Sequence, residues 1–284
     1  MQIQWYPGHM TKARRAMQED LKLVDLVMEL TDARAPLAGR NPDIDKLAAG
    51  KARMIFLNKA DLADDQATLA WMDYFRKKGI TPIRLDARKT NFKKAVVDGV
   101  KIACQEKIER DRRKGILNRP IRAMVVGIPN VGKSTFINRL AKRKATVTGN
   151  KPGVTKAQQI IKVDKDFELF DTPGVLWPKF ENETVARNIA LIGSIKQQIL
   201  PREDLFMYAV EHLVKNYPRS VENRYQIEID LEGDWIEKCY DDIASNKKIK
   251  PVRGITDYER VMDMFFTDLF YGAIANVTWE LPYE

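Results

Sequence analysis

Apolar runs of strand length alternate with amphipathic segments of helical spacing over roughly the first three fifths of the chain. The runs that predict buried strands are residues 24–30, 53–57, 81–85, 121–127, 158–163 and 167–170. The segments that predict helices are residues 10–22, 41–49, 64–78 and 92–114, and a stretch after the fourth run that ends near residue 143. Strands that alternate with helices are typical of a mostly parallel sheet covered on both faces. The pattern therefore predicts an α/β fold.

The pattern becomes mainly helical after about residue 178. Helical spacing is found over residues 183–192, 203–216, 234–244 and 257–275, with one strand-like interruption at 225–231. Proline residues lie between the predicted elements of this region, as is usual for turns and loops; they are Pro178, Pro201 and Pro218. We predict two domains, an α/β domain over residues 1–178 and a smaller, mainly α-helical domain over residues 179–284.

A glycine-bounded loop joins the run 121–127 to the helix that follows it, and it reads Gly127-Ile128-Pro129-Asn130-Val131-Gly132-Lys133-Ser134. The pattern GxxxxGK[ST] between a strand and a helix indicates a phosphate-binding loop. Consecutive backbone N–H groups then face the phosphates at the start of the helix. We expect Lys133 to reach the β- and γ-phosphates and Ser134 to supply a hydroxyl ligand to Mg²⁺. The predicted nucleotide-binding residues of this loop are Asn130, Val131, Gly132, Lys133, Ser134 and Thr135.

Asp171-Thr172-Pro173-Gly174 follows the run 167–170. An acidic residue at a strand end can hold Mg²⁺ through water, and the glycine three residues later lets a backbone N–H face the γ-phosphate. We therefore predict Asp171 as a Mg²⁺ residue and Gly174 as a nucleotide-binding residue.

Asn58-Lys59-Ala60-Asp61 closes the run 53–57 and suits guanine. The Asp61 carboxylate can accept two hydrogen bonds from guanine, whereas adenine would leave this buried group unpaired at high cost. Lys59 is expected to lie over the base, and the Asn58 amide to tie this loop to the phosphate loop. Together with the two preceding motifs, this loop favours GTP over ATP.

The order of the motifs is unusual, because the base-reading loop precedes the phosphate loop along the chain. In this respect the chain resembles the circularly permuted GTPases of the TRAFAC class. Strand positions in a sheet do not depend on where the chain begins, so permutation leaves the site intact. It also leads the loop after Asp171 directly into residues 179–284, which we expect to respond to the nucleotide state.

Further motifs narrow the resemblance. Trp5-Tyr6-Pro7-Gly8-His9-Met10, Asp32-Ala33-Arg34-Ala35-Pro36, Arg40-Asn41-Pro42 and Pro152-Gly153-Val154-Thr155 resemble the bacterial ribosome biogenesis GTPase A family (YlqF/RbgA type). The resemblance implies a GTPase that acts in late maturation of the large ribosomal subunit. It also implies that hydrolysis of GTP to GDP is coupled to release from the particle.

Two further loops are expected to contact the nucleotide. Thr155 is expected to be the switch threonine, which binds Mg²⁺ and the γ-phosphate and lets go after hydrolysis. Asp86-Ala87-Arg88 stands where GTPases commonly have Ser-Ala-Lys. Ala87 can still present its backbone N–H to the guanine carbonyl, whereas Asp86 departs from the usual pattern.

The residue that orients the attacking water is not obvious, because Val175 stands where many GTPases have glutamine. His9 is our catalytic candidate, since a histidine can polarise water near neutral pH. The alternative is that its segment packs internally or contacts the ribosome. Asn130 is either a ligand of K⁺ beside the phosphates or a structural amide. We expect hydrolysis to be slow in the isolated protein and to be stimulated by the ribosomal particle.

Charge is unevenly distributed around the net value of +9. Residues 101–160 hold 15 Lys/Arg against 3 Asp/Glu, whereas residues 201–284 hold 10 against 17. Such a basic segment suits a polyanion, so residues 107–114 and 139–144 are expected to contact phosphates of ribosomal RNA. The acidic C-terminal region keeps a second reading open, in which the protein is a GTP-dependent switch for a non-ribosomal protein or membrane partner.

Cysteine usage and hydropathy give the remaining expectations. Cys104 and Cys239 lie far apart and match no metal or redox spacing, which fits a reducing compartment. No apolar run approaches the length of a membrane span, and the N-terminus has no secretory pattern. We therefore expect a cytoplasmic protein with no membrane partner, and one that is monomeric off the ribosome.

Overall fold

A six-stranded sheet forms the centre of the molecule. The computed structural model describes residues 18–41, 43–86, 92–117, 119–141, 159–165, 167–171, 182–195 and 199–282. The strands are β1 (Leu26–Asp32), β2 (Ala52–Asn58), β3 (Thr81–Arg84), β4 (Ile121–Val126), β5 (Gln159–Asp164) and β6 (Phe167–Asp171). Their order is β3-β2-β1-β4-β6-β5, and all pairs are parallel except β5 with β6. The predicted α/β sheet is therefore confirmed, with strand ends shifted by at most two residues.

Helices flank the sheet and dominate the C-terminal part. They are α1 (Ile44–Leu47), α2 (Asp65–Lys77), α3 (Phe92–Ala103), α4 (Gln105–Arg113), α5 (Lys133–Leu140), α6 (Glu183–Leu191), α7 (Arg202–Asn216), α8 (Ser220–Tyr225), α9 (Trp235–Asn246) and α10 (Tyr258–Phe270). Residues 18–22 are also helical. The long helix predicted over 92–114 is divided at Cys104. The helices within the described ranges are too short or too polar to cross a bilayer.

The strand-like interruption predicted at 225–231 is wrong. Tyr225 ends α8, Gln226 adopts a left-handed conformation with φ of 58°, and the residues after it have no regular secondary structure. The alternating pattern has another cause, because Ile227 is buried and Ile229 packs against the core, whereas Glu228 and Asp230 are exposed. A lone extended segment produces the same period of two as a paired strand.

The apolar core continues from the sheet into the helical region. One cluster joins Met28 and Leu30 of β1 to Phe136 of α5, and extends to Phe206 and Phe265 in α7 and α10. Two smaller clusters cover the other side of the sheet, one around Val27, Met124 and Phe170, the other around Trp71 and Phe75. All seven residues of β1 are buried, as expected for a central strand covered on both faces.

Candidate nucleotide-binding site

The carboxyl ends of the parallel strands bring the sequence motifs together at one edge of the sheet. The strand register aligns Asp32 with Asn58, and Asp171 with Val125. Gly127 follows β4 directly. In open parallel sheets the crevice outside the carboxyl ends of the strands is the usual ligand site. Residues that are distant and reordered along the chain therefore meet at one edge.

The phosphate loop is held by close backbone approaches. A Cβ added to Gly127 would lie 2.6 Å from the carbonyl oxygen of Leu30, so only glycine fits there. Gly132 has φ of 96° and precedes α5. Ile128 and Val131 point into the core and anchor the loop between the two glycines. The loop leads directly into the N-terminus of α5, and backbone N–H groups at the start of a helix suit an anion.

Asn58 joins the predicted guanine loop to the phosphate loop. Its side-chain Nδ2 donates a hydrogen bond to the backbone oxygen of Val131 at 2.7 Å, and the residue is 2% exposed. This is the tie between the two loops that the sequence suggested. A Cβ on Gly132 would come within 2.6 Å of the same Nδ2 atom, so the glycine leaves room for the tie.

A buried ion cluster, which motif reasoning missed, lies behind the guanine loop. Arg34 forms a two-pronged bond to Asp32, with Nε on Oδ1 and Nη2 on Oδ2, both at 2.9 Å. Lys59 Nζ lies 3.0 Å from Asp32 Oδ2. Burial by itself would raise the pKa of the Asp32 carboxyl, but the charges of Arg34 and Lys59 hold it well below its usual range. The sequence signal for this cluster is the Asp-x-Arg pattern at the end of a strand, which contributes to the family resemblance but does not by itself predict an ion pair with Lys59.

Asn130 contacts the helical region. The residue has φ of 62°, and its Nδ2 donates to the backbone oxygen of Gly193 at 3.2 Å. Gly193 lies in the turn after α6. This contact supports the structural-amide reading of Asn130, while its K⁺ reading stays a prediction.

Two of the predicted magnesium residues belong to elements that meet at this edge. Ser134 is the second residue of α5, and Asp171 ends β6 beside the strand that leads into the phosphate loop. Hydroxyl and carboxylate oxygens suit Mg²⁺, which usually takes one or two protein ligands and completes its shell with phosphates and water. The described ranges hold no group of three or more His, Cys, Asp or Glu that could bind a metal ion alone. The residue types of Ser134 and Asp171 suit a metal that a nucleotide also binds, and their role stays a prediction.

Several predicted site residues lie outside the described residues, namely His9, Ala87, Thr155 and Gly174. Asp86 is described and follows β3, where the backbone N–H of Ala60 donates to the oxygen of Leu85 at 3.3 Å. The second histidine, His212, bonds the C-terminal segment through Nε2 and the oxygen of Thr278 at 3.0 Å.

The chain is similar to several known proteins. The family model described as "50S ribosome-binding GTPase" matches residues 122–232. The chain is 45% identical to Ribosome biogenesis GTPase A of Bacillus cereus over 284 residues, covering 100% of this chain and 95% of the relative. It is also 45% identical to the protein of that name from Priestia megaterium over 285 residues, with coverage of 100% and 98%. The crystal structure of GNP-bound YlqF from T. maritima is similar with a TM-score of 0.68 and 27% identity, and the match covers 96% of this chain and 99% of that one. The chain therefore belongs to the ribosome biogenesis GTPase A family.

Proposed function

We propose that the protein binds GTP, hydrolyses it to GDP, and acts in late maturation of the large ribosomal subunit, with hydrolysis coupled to release from the particle. The observation that carries this proposal is the bond from Asn58 to Val131, because it holds a guanine-type loop against a phosphate-type loop. The names of the similar proteins support the ribosomal role. Bacterial relatives also favour action in the cytoplasm, where ribosomes assemble.

Each loop has a distinct task in this proposal. Asp61 reads the ring N–H and amine of guanine, Lys59 covers the base, and the N–H groups before Lys133 hold the phosphates. Bound Mg²⁺ would neutralise charge on the β- and γ-phosphate oxygens, with Ser134 and Asp171 as its protein residues together with Thr155. Lys133 stabilises charge that develops during transfer of the γ-phosphoryl group.

Water must be oriented by a group other than the usual glutamine, since Val175 cannot bond water through its side chain. We assign this role to His9. K⁺ beside Asn130, a second source of positive charge, is kept as the alternative to a purely structural Asn130 amide. If His9 orients water, His9→Ala lowers the particle-stimulated rate while leaving GDP affinity unchanged. Equal stimulation of wild type and variant would remove His9 from the mechanism, and equal rates in KCl and NaCl would remove K⁺.

Residues 107–114, one of the two basic segments that we assign to ribosomal RNA, lie at the opposite edge of the sheet from the nucleotide loops. Helix α4 has no buried residue, and its Lys107 Nζ lies 3.2 Å from Asp25, which immediately precedes β1. Arg110, Arg112 and Lys114 are exposed on or directly after this helix. Cations arranged in this way can neutralise RNA phosphates without disturbing the nucleotide.

Co-sedimentation with isolated large ribosomal subunits tests the proposal. We expect binding with a GTP analogue, weaker binding with GDP, a steep loss at raised salt, and a GTPase rate that rises when subunits are added. Neutralising Arg110, Arg112 and Lys114 to glutamine should weaken co-sedimentation and leave the basal GTPase rate unchanged. Absence of binding in every nucleotide state would favour the alternative, a GTP-dependent switch for a non-ribosomal protein or membrane partner.

A further inference from the structure

We propose that Asp32 and Arg34 are positioning residues for guanine-nucleotide binding, which act by fixing Lys59 of the guanine loop. This inference rests on the proposed GTP-binding function and names residues outside the three nucleotide motifs. Asp32 is the last residue of β1, and its side chain is completely buried directly behind the loop.

The backbone of the guanine loop needs external support. Lys59 adopts φ of 54°, a left-handed conformation that non-glycine residues rarely hold without surrounding constraints. Its Nζ lies 3.0 Å from Asp32 Oδ2, so the side chain is fixed at its far end as well. The side chain is 26% exposed, which leaves part of it available for a base. The ion pair therefore orients Lys59 within the guanine loop.

Arg34 in turn fixes Asp32. Besides the two-pronged side-chain bond, the Arg34 backbone N–H donates to Asp32 Oδ1 at 3.1 Å. The planar guanidinium permits one carboxylate orientation, which a lysine ammonium would not impose. Since the pKa of Asp32 stays well below its usual range, Lys59 faces a carboxylate rather than a carboxylic acid at neutral pH.

Arg34 itself is held from two other parts of the chain. Its Nη2 donates to the backbone oxygen of Ile192 at 3.2 Å, and its own backbone oxygen accepts from the N–H of Trp279 at 2.7 Å. Burial alone would lower the pKa of Arg34, but the charges of Asp32 and Asp61 raise it above its usual value. The Arg34 guanidinium that supports the guanine loop is thus held in position by residues of the helical region.

Dissociation of a fluorescent GDP derivative, measured by stopped flow, tests this role. Asp32→Asn keeps the shape of the side chain and removes its charge, and we expect dissociation to be about tenfold faster with little change in association. Lys59→Met keeps the stem and removes the ammonium, and it should have a similar effect. The double variant should be no faster than either single variant, because both changes remove one interaction.

Glu29→Gln is the matched control. Glu29 lies on the same strand as Asp32 but on the opposite face, and it forms a buried ion pair with Arg40 at 2.7 Å. This change should lower thermal stability without accelerating GDP dissociation. A similar acceleration in Glu29→Gln, or effects of Asp32→Asn and Lys59→Met that multiply in full, would overturn the inference.

Arg34→Lys provides a second route if Asp32→Asn does not fold. It keeps the charge beside Asp32 but loses the fork, and it should accelerate dissociation about threefold in the wild-type background and not in the Lys59→Met background. A wild-type dissociation rate in Arg34→Lys would overturn the inference. Failure of the wild-type protein to bind GDP would instead overturn the proposed function.

Discussion

Individual glycines define how closely the phosphate loop can pack on the sheet. Gly127 approaches the backbone of β1, which cannot move aside, whereas Gly99 in α3 approaches only the ends of the Met54 and Ile83 side chains. The two positions are therefore equally crowded but differ in what surrounds them.

Gly127→Ala should abolish nucleotide binding and lower the free energy of unfolding by roughly 2 kcal/mol or more, because its new methyl group meets the Leu30 carbonyl. Gly99→Ala should cost less, since flexible side chains can shift and alanine favours the helix by about 1 kcal/mol. Urea unfolding and GDP titration of both variants check this. Equal losses in the two variants would contradict it.

Asn58→Ala tests the tie between the loops. The change leaves the buried Val131 carbonyl without its 2.7 Å donor, so we expect a loss of about 1–3 kcal/mol in stability together with weaker GDP binding. Asn216→Ala removes an exposed amide that bonds the His212 backbone and should cost much less. The measurement is thermal unfolding with and without GDP, and a larger loss in Asn216→Ala would refute the assignment.

Glu280 gives the protein a pH dependence near neutrality. Burial raises the pKa of its carboxyl to about 7, although the backbone N–H groups of Leu37 and Ala38 and the side chain of Asn188 favour the charged form. The folded state therefore keeps a proton that the unfolded state releases, and stability falls as pH rises from about 5 through 7. Relative to Glu280→Gln, the wild type should lose roughly 1–3 kcal/mol between about pH 5 and pH 8 in urea unfolding. A difference between the two proteins that stays constant with pH would exclude this role.

At the scale of elements, the segment Val277–Glu280 connects the helical region to the guanine side of the sheet. Its backbone accepts from Trp71 Nε1 at 2.9 Å and donates to the oxygens of Leu62 and Arg34. On the other side, Tyr217 and His212 of the α7 region bond Thr278. A stretch without helix or strand thus holds two regular parts together.

Trp279→Ala should be among the more damaging single changes in this segment. The side chain is 3% exposed, and its ring lies 4.9 Å from that of His212. We expect a loss of about 3–5 kcal/mol in the free energy of unfolding, because truncating the buried ring leaves a cavity. We also expect weaker GDP binding, because the cavity loosens the segment whose backbone N–H holds the Arg34 oxygen. Exposed Tyr271→Ala serves as the control and should be nearly neutral. A Trp279→Ala protein with wild-type GDP affinity would separate the segment from the site.

Sequence patterns predicted the elements whose burial repeats regularly and the loops whose chemistry is local. β1, β2 and β4 were found because parallel central strands are mostly apolar, and the phosphate loop because its glycines and Lys133 are neighbours in the chain. The pairing of Asp32 with Lys59 depends on the register of β1 with β2, which no local pattern encodes. The segment Val277–Glu280 was missed for a related reason, since its contacts run through backbone atoms to distant residues.

At the scale of the whole molecule, one apolar cluster spans both regions that the sequence divided at residue 178. Ile189 and Leu205 belong to the same cluster as Leu30 and Val131. Regions that share a core lose their packing together when either one opens.

We therefore expect a single cooperative thermal transition for the full chain, with equal calorimetric and van't Hoff enthalpies. GDP with Mg²⁺ at 100 times its dissociation constant should stabilise the whole transition by about 2.7 kcal/mol. Differential scanning calorimetry with and without GDP measures both effects. Two transitions, of which only one responds to GDP, would mean that the regions fold independently.

In the hydrogen bonds that join the parts of the site, the donor and the acceptor residues differ in how well they tolerate substitution. Asn58, Asn130, Arg34 and the N–H of Trp279 all donate to backbone carbonyl oxygens, those of Val131, Gly193, Ile192 and Arg34. A carbonyl is present whatever side chain the accepting residue carries, whereas asparagine and arginine donors have few substitutes. Substitutions at Val131 or Ile192 therefore keep the hydrogen bonds of the site, whereas a single substitution at Asn58 or Arg34 removes one of them.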